Sequence, residues 1–181
     1  MHGTSEAEDS PMRVRGALRG NFVRDAIARG YRYGIIGSGD SHDGHPGLTF
    51  YTPHYFNGGL VALLTEELTR SGVEAALRER RVYATNGPRI VLRFALAGAV
   101  MGQATQAAEQ ADLYVYALGT APIERIDVIR SGSVVATLPG DGQDEVEASA
   151  ELQDLRPGEF VYVRIEQAGD GLAWSSPVFI E

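Results

Sequence analysis

The densest group of side chains able to do chemistry lies in Tyr33-Gly-Ile-Ile-Gly-Ser-Gly-Asp-Ser-His-Asp-Gly-His-Pro-Gly47, where Asp40, His42, Asp43 and His45 follow an apolar run and a Gly/Ser turn. Asp40 and His42 are two positions apart, so on an extended segment both side chains leave the same face. A carboxylate and a neutral imidazole on one face can share a divalent cation. Two ligands do not close a site, since a zinc centre takes about three protein ligands or more. His45 becomes a third if the Asp43-Gly44 turn folds back. The same residues also fit a polar turn whose side chains cap their own backbone.

For that chemistry to be held in place, Tyr33 to Gly37 should be a buried strand that presents the polar residues at its carboxyl end, where α/β sheets keep their sites. A helix should precede it, capped by Asn21, with apolar positions Phe22, Val23, Ala26 and Ile27 and with Gly30 to end it. Residues 43 to 59 combine several Gly and Pro with His54, Phe50, Tyr51, Tyr55 and Phe56, as expected of a long loop over a site. Leu60 to Leu64 forms a short strand candidate. Ser71-x-x-Glu74 has the form of a capping box for a helix with Val73, Ala76 and Leu77 on its buried stripe. Arg78, Arg80 and Arg81 suit that helix's carboxyl end. Val82 to Thr85 is then a strand, Asn86-Gly87-Pro88 a turn, and Ile90 to Leu96 a strand with Ile90, Leu92, Phe94 and Leu96 on one face.

After Gly98 the texture becomes that of short strands: 113–118, 126–129, 134–138, 146–152, 160–165 and 178–180. Val146, Ala148, Ala150 and Leu152 alternate with Glu145, Glu147, Ser149 and Glu151, which implies one buried and one wet face and hence an antiparallel sandwich. Trp174, the only tryptophan, reads as a core anchor. The expected organisation is a flexible segment 1–12, a β/α part 13–97 and a β-sandwich 98–181.

The chain has 181 residues, 44% of them hydrophobic, which supplies enough apolar matter for a soluble globular fold. No apolar run approaches the roughly 20 residues of a membrane span, and the polar opening is not a signal peptide. A formal charge of −8 opposes binding to nucleic acid. The absence of cysteine removes disulfides, thiolate metal ligands and cysteine nucleophiles. The compartment is left open.

Gly34-Ile-Ile-Gly-Ser-Gly-Asp-Ser-His42 resembles the last metal-binding motif of the PHP (polymerase and histidinol phosphatase) superfamily, a strand ending in Asp-x-His. Gly72 to Gly87 and the closing Ala173-Trp-Ser-Ser-Pro177 are similar to segments of an uncharacterised PHP-like family. The resemblance implies α/β plus all-β architecture: the C-terminal part of a PHP-type (β/α)7 barrel followed by a small antiparallel β-sandwich. It also implies a phosphoesterase using zinc, manganese or iron on a phosphate-ester small molecule. Of the superfamily's ligands only Asp40 and His42 have counterparts, because the remaining histidines are His2, His45 and His54. The isolated chain is therefore expected to be an inactive C-terminal portion that holds metal weakly or not at all, with self-association as one way to cover the cut barrel.

Two other readings stand beside it. Gly39-Asp-Ser-His-Asp-Gly44 resembles the Gly-Asp-Ser block of the GDSL esterases, with Ser41 as nucleophile, but no histidine follows His54 to serve as its base. The non-enzymatic reading is a β-sandwich module that binds or docks a partner.

Overall fold

A computed structural model describes residues 5–11, 13, 14, 16–39 and 58–181. Among them are two short helices, α1 (Val23–Ala28) and α2 (Arg70–Arg78). The strands that lead into the sandwich are β1 (Leu60–Leu63), β2 (Val82–Thr85), β3 (Val91–Leu96), β4 (Ala99–Val100) and β5 (Ala104–Thr105). Longer strands follow: β6 (Ala108–Leu118), β7 (Ile123–Arg130), β8 (Ser133–Pro139), β9 (Glu145–Leu155) and β10 (Phe160–Gln167). The last two are β11 (Gly171–Ser175) and β12 (Val178–Ile180).

The smaller sheet runs β4-β3-β6-β9, antiparallel throughout. The larger is organised around β10. β11 pairs with Arg164 to Gln167 and β12 with Phe160 and Val161, so these two strands divide one edge of β10, with Ser176 and Pro177 between them. β7 takes the other edge and carries β8 beyond it. β2 joins β11, and β1 joins β2, so residues 60–85 belong to the same sheet as the carboxyl-terminal strands. The one parallel pair is β12 with β5.

The core between the sheets follows from alternation. Leu92, Phe94 and Leu96 of β3 and Leu113, Val115 and Ala117 of β6 point inward against Ile126, Val128, Val161, Val163 and Ile165 of the large sheet. Each such side chain removes apolar area from water at about 25 cal/mol per Å². The outward residues of β10 are buried too: Phe160 and Tyr162 cluster with Ile129, Leu172, Trp174 and Ile27. A sheet buried on both faces needs a cover, and α1 with Val23, Tyr33 and Ile35 provides it.

Several sequence expectations hold. Ile90, Leu92, Phe94 and Leu96 are all buried, and Trp174 is 5% exposed. The cap of α2 is Thr69, two residues before the expected Ser71, with its hydroxyl accepting from Gly72 N at 3.1 Å. Glu74 pairs with Arg78 one turn on, and Leu77 is half exposed where a buried stripe was expected.

The expected (β/α)7 barrel is corrected: no such barrel exists among the described residues, which are almost entirely antiparallel β. The helix between β1 and β2 looked like a β/α crossover, but a crossover joins parallel strands, whereas β1 and β2 are antiparallel. Periodicity identifies a helix between strands and is blind to how those strands pair. Tyr33 to Gly37 is likewise no strand of the sheet. It lies extended on the outer face, with Ile35 N donating to Ser176 Oγ at 2.9 Å and Ile36 59% exposed.

Leu113 is fully buried at the centre of the small sheet. Leu113→Ala should cost about 2–5 kcal/mol. Urea unfolding should show this as a lowered midpoint with unchanged slope.

Candidate functional site on the outer face of the large sheet

Asp40, His42 and His45, the residues with metal-ligand spacing, lie outside the described residues, as do Ser41, Asp43 and His54. The described chain on either side of them shows where they attach. Gly34 lies over Val82, and Gly37 lies over the Leu60/Thr85 pair, so the segment follows β2 residue for residue across the outer face. A Cβ on Gly37 would sit 2.5 Å from Leu60 O and 2.7 Å from Thr85 O, so only glycine permits this approach of backbone to sheet. Gly58 makes an equally close contact with Gly39, its absent Cβ pointing to within 2.5 Å of Gly39 Cα. The two ends of the intervening segment therefore meet at the end of the β1–β2 ladder. Among the described residues no group of three or more His, Asp or Glu is placed to hold a metal ion.

A different constellation is assembled further along the same face. Tyr162 and Arg164 stand two apart on β10, and Trp174 on β11 is the register partner of Arg164, so all three project outward together. Glu6, from an irregular amino-terminal strap, is inserted among them and is 5% exposed. Tyr162 Oη donates to Glu6 Oε1 at 2.7 Å, while Arg164 Nη1 and Trp174 Nε1 donate to Glu6 Oε2 at 2.9 and 2.8 Å. The second terminal nitrogen of Arg164, Nη2, donates to Asp127 Oδ2 at 2.7 Å, and Asp127 also accepts from Thr137 Oγ1 at 2.9 Å. Asp127 lies on β7 and Thr137 on β8, so the network crosses four strands.

Burial opposes the charge on Arg164, but Glu6 and Asp127 outweigh it and its pKa is raised. Removing one partner of such a buried pair generally costs about 3–5 kcal/mol, because the other charge is left uncompensated. The phenol of Tyr162 is held well above its ordinary range, first by burial and then by the negative charge and hydrogen bond of Glu6. Burial likewise raises Tyr83, whose hydroxyl donates to Ile90 O at 2.9 Å.

The strap is fastened through the helix as well. Val23 N and Arg24 N, in the first turn of α1, donate to the carbonyls of Ser5 and Glu6 at 2.8 and 3.0 Å, satisfying N–H groups that a helix start leaves without partners. Sequence reading placed these residues in a flexible tail. The missed signal was slight: one Glu beside Ala7 in a polar run, with the complementary Arg and Trp about 160 positions away.

Comparison with known proteins gives a family match first. Residues 48–122 match the family described as a protein of unknown function, DUF3604. Over 98% of its length the chain is also similar to uncharacterized proteins of Chlamydia muridarum (30% identity) and Chlamydia trachomatis (28% identity), of which it covers 32%. The chain thus spans about a third of the length of the curated relatives it matches. Among solved structures it is similar to a Jonesia denitrificans lytic polysaccharide monooxygenase, with 20% identity and a TM-score of 0.34 over 43% of this chain and 58% of that one. The family and relatives matched correct the PHP resemblance and the hydrolase and phosphoesterase character drawn from it: none of them is described as a PHP protein. Asp-x-His after an apolar run is too short a pattern to specify a superfamily by itself. No helix among the described residues is long and apolar enough to cross a membrane.

The raised pKa of Tyr162 carries a sign. In the unfolded chain a tyrosine loses its proton near pH 10, while in the fold Tyr162 keeps it, so above that pH the unfolded state binds fewer protons. Stability should be complete below about pH 10 and fall as the pH rises beyond it. Absorbance of phenolate should show Tyr162 ionising only as the chain unfolds. In Tyr162→Phe the alkaline slope of stability should be smaller by up to one proton, about 1.4 kcal/mol per pH unit.

Proposed function

We propose that the chain is a non-catalytic β-sandwich docking module that packs against the remaining part of a longer polypeptide. The observation that carries this reading is the distribution of exposed apolar side chains. Leu68, Leu18, Tyr31 and Ile36 are 90%, 70%, 64% and 59% exposed, and all precede the strands that build most of the sandwich. Val61 points to the same outer side as Ile36, since Ala62 and Leu64 turn inward to the core. Exposed apolar side chains occur on the sandwich strands as well, Val134 and Val135 at 49% and 48%, but the most exposed ones fall within residues 18–68, and large apolar side chains left in water are candidates for cover by a partner. The relatives that align over nearly the whole chain are about three times its length, which supplies a covering partner within one polypeptide.

Hydrogen exchange tests the reading. In the longer protein, amides of residues 31–36 and 60–68 should be protected more strongly than in the isolated 181 residues. Ile36→Ser combined with Leu68→Ser should remove that extra protection while changing the isolated chain's stability by no more than about 0.5 kcal/mol. Equal protection in the two forms would refute docking, and protection that rises with concentration in the isolated chain would replace it with self-association.

A divalent ion at Asp40 and His42, with His45 as third ligand, is a separate proposal. It rests on their spacing and on the Gly39–Gly58 contact that brings both ends of their segment together. Calorimetry on the isolated chain should find zinc or manganese bound weakly, with the heat lost in His42→Ala. Tight loading of two or three ions would overturn the three-ligand site.

A further inference from the structure

The donors around Glu6 are better prepared than the group they hold. Tyr162, Arg164 and Trp174 stand on two paired strands that are buried on both faces. Arg164 is held independently of Glu6 by Asp127, which is fixed in turn by Thr137. The Nε of Arg164 is buried and has no hydrogen-bond partner among the described residues, so the guanidinium keeps a donor in reserve. The occupant, in contrast, comes from a strap with no place in either sheet. Ser5, Glu8 and Asp9 of the strap are exposed, and among its described residues the only apolar side chain buried is the Ala7 methyl. Its attachment to the sheet is thus concentrated in one carboxylate that meets three converging donors, an arrangement of charge-assisted bonds with fixed geometry.

We propose that Tyr162, Arg164 and Trp174 form a carboxylate-binding site for a glutamate of an acidic peptide segment, and that Glu6 fills this site as an exchangeable latch of the same chain. Ala7, 2% exposed, restricts the residue after the glutamate to a small side chain. Glu8 and Asp9 lie in solvent beside it, where Arg19 and Arg24 pair with them, so acidic residues further along the peptide are accommodated. Because the latch is tethered, it competes at an effective concentration of order mM, and a second peptide enters only when the latch is weakened or drawn away. The site is separate from the apolar margin near β1, and the two can fail or succeed independently.

Glu6→Ala in the full chain leaves the three donors without their acceptor. Acetate should then bind saturably, raising the urea midpoint and shifting the emission of Trp174, whereas chloride at equal ionic strength should do neither. Arg164→Gln introduced with Glu6→Ala should abolish the acetate response. Acetate and chloride acting alike on folded Glu6→Ala would overturn the proposal. If that variant does not fold, Glu6→Gln, which keeps the shape and removes the charge, decides the matter. The peptide Ser-Glu-Ala-Glu-Asp-Ser should bind Glu6→Gln at least tenfold more tightly than the same peptide with glutamine in second position. Equal binding of the two peptides, or binding of neither, would overturn the proposal.

Discussion

An arginine on the covered face of a sheet must be neutralised, and much of this structure answers that requirement at Arg164. The residue occupies an outward position on β10, flanked by Tyr162 and by Trp174 on the neighbouring strand, in a layer that is otherwise apolar. A lone guanidinium there would carry a desolvation penalty of several kcal/mol. Asp127 from β7 approaches from one side and Glu6 from the strap approaches from above, at 2.7 and 2.9 Å. Glu6 satisfies the phenol of Tyr162 and the indole N–H of Trp174 in the same step, so that one carboxylate removes three liabilities. The carbonyls of Ser5 and Glu6 then accept from the start of α1, and the hydroxyl of Tyr33 donates to Val23 O at 2.7 Å. Strap, helix and the extended segment 31–39 are thereby joined into one cover.

The two sheets differ in what their outer faces meet. The small sheet leaves its outer face wet: Arg93, Asp112, Glu145, Glu147 and Glu151 alternate with buried residues. The hydroxyls of Tyr114 and Tyr116 reach diagonally across to Glu147 and Glu145, at 3.0 and 2.9 Å. Such an alternation is legible along a sequence, because each outward residue contrasts with its neighbours. The central strands of the large sheet, β10 and β11, have no such contrast. Phe160 to Ile165 and Gly171 to Ser175 are buried at every position, since one set of side chains enters the sandwich and the other enters the cover.

That difference explains what sequence reading could reach. Strands with a wet face were found, β3 and β9 with their facing correct and β6 in part of its length without a stated facing. β11 was not found as a strand at all, because Gly-Leu-Ala-Trp-Ser shows no period. Local signals also located β1, α2 and β2 but suggested parallel strands where the pairing is antiparallel, a property that depends on contacts distant along the chain. Thr69 outcompeted Ser71 as the cap of α2 because cap choice depends on where the chain turns as well as on residue type. The buried network was not legible because Glu6 lies 156, 158 and 168 positions from the three donors it meets, and a glutamate in a polar amino-terminal run looks like any solvated acid. The Asp40–His45 motif was conspicuous for the opposite reason, since all its members lie within six residues.

The Glu6 network lies on the outer side of the large sheet, and this bears on how a proposed partner would meet the chain. The central part of the sheet is not available there, being roofed by α1, the strap and the extended segment that runs along β2, while β8 at the edge stays exposed. A partner on this side therefore meets irregular chain first, fixed to the sheet through a few polar points and through glycines that permit backbone contact. Such a layer can be remodelled at lower cost than a strand, because releasing the strap breaks the Glu6 bonds, two helix-start bonds and the Arg19–Glu8 and Arg24–Asp9 pairs without breaking a ladder of the two sheets. The sandwich core would remain closed during that exchange, since Val161, Val163 and Ile165 face the other way. On the docking and latch proposals, stability would reside between the sheets and recognition in the layer laid over them.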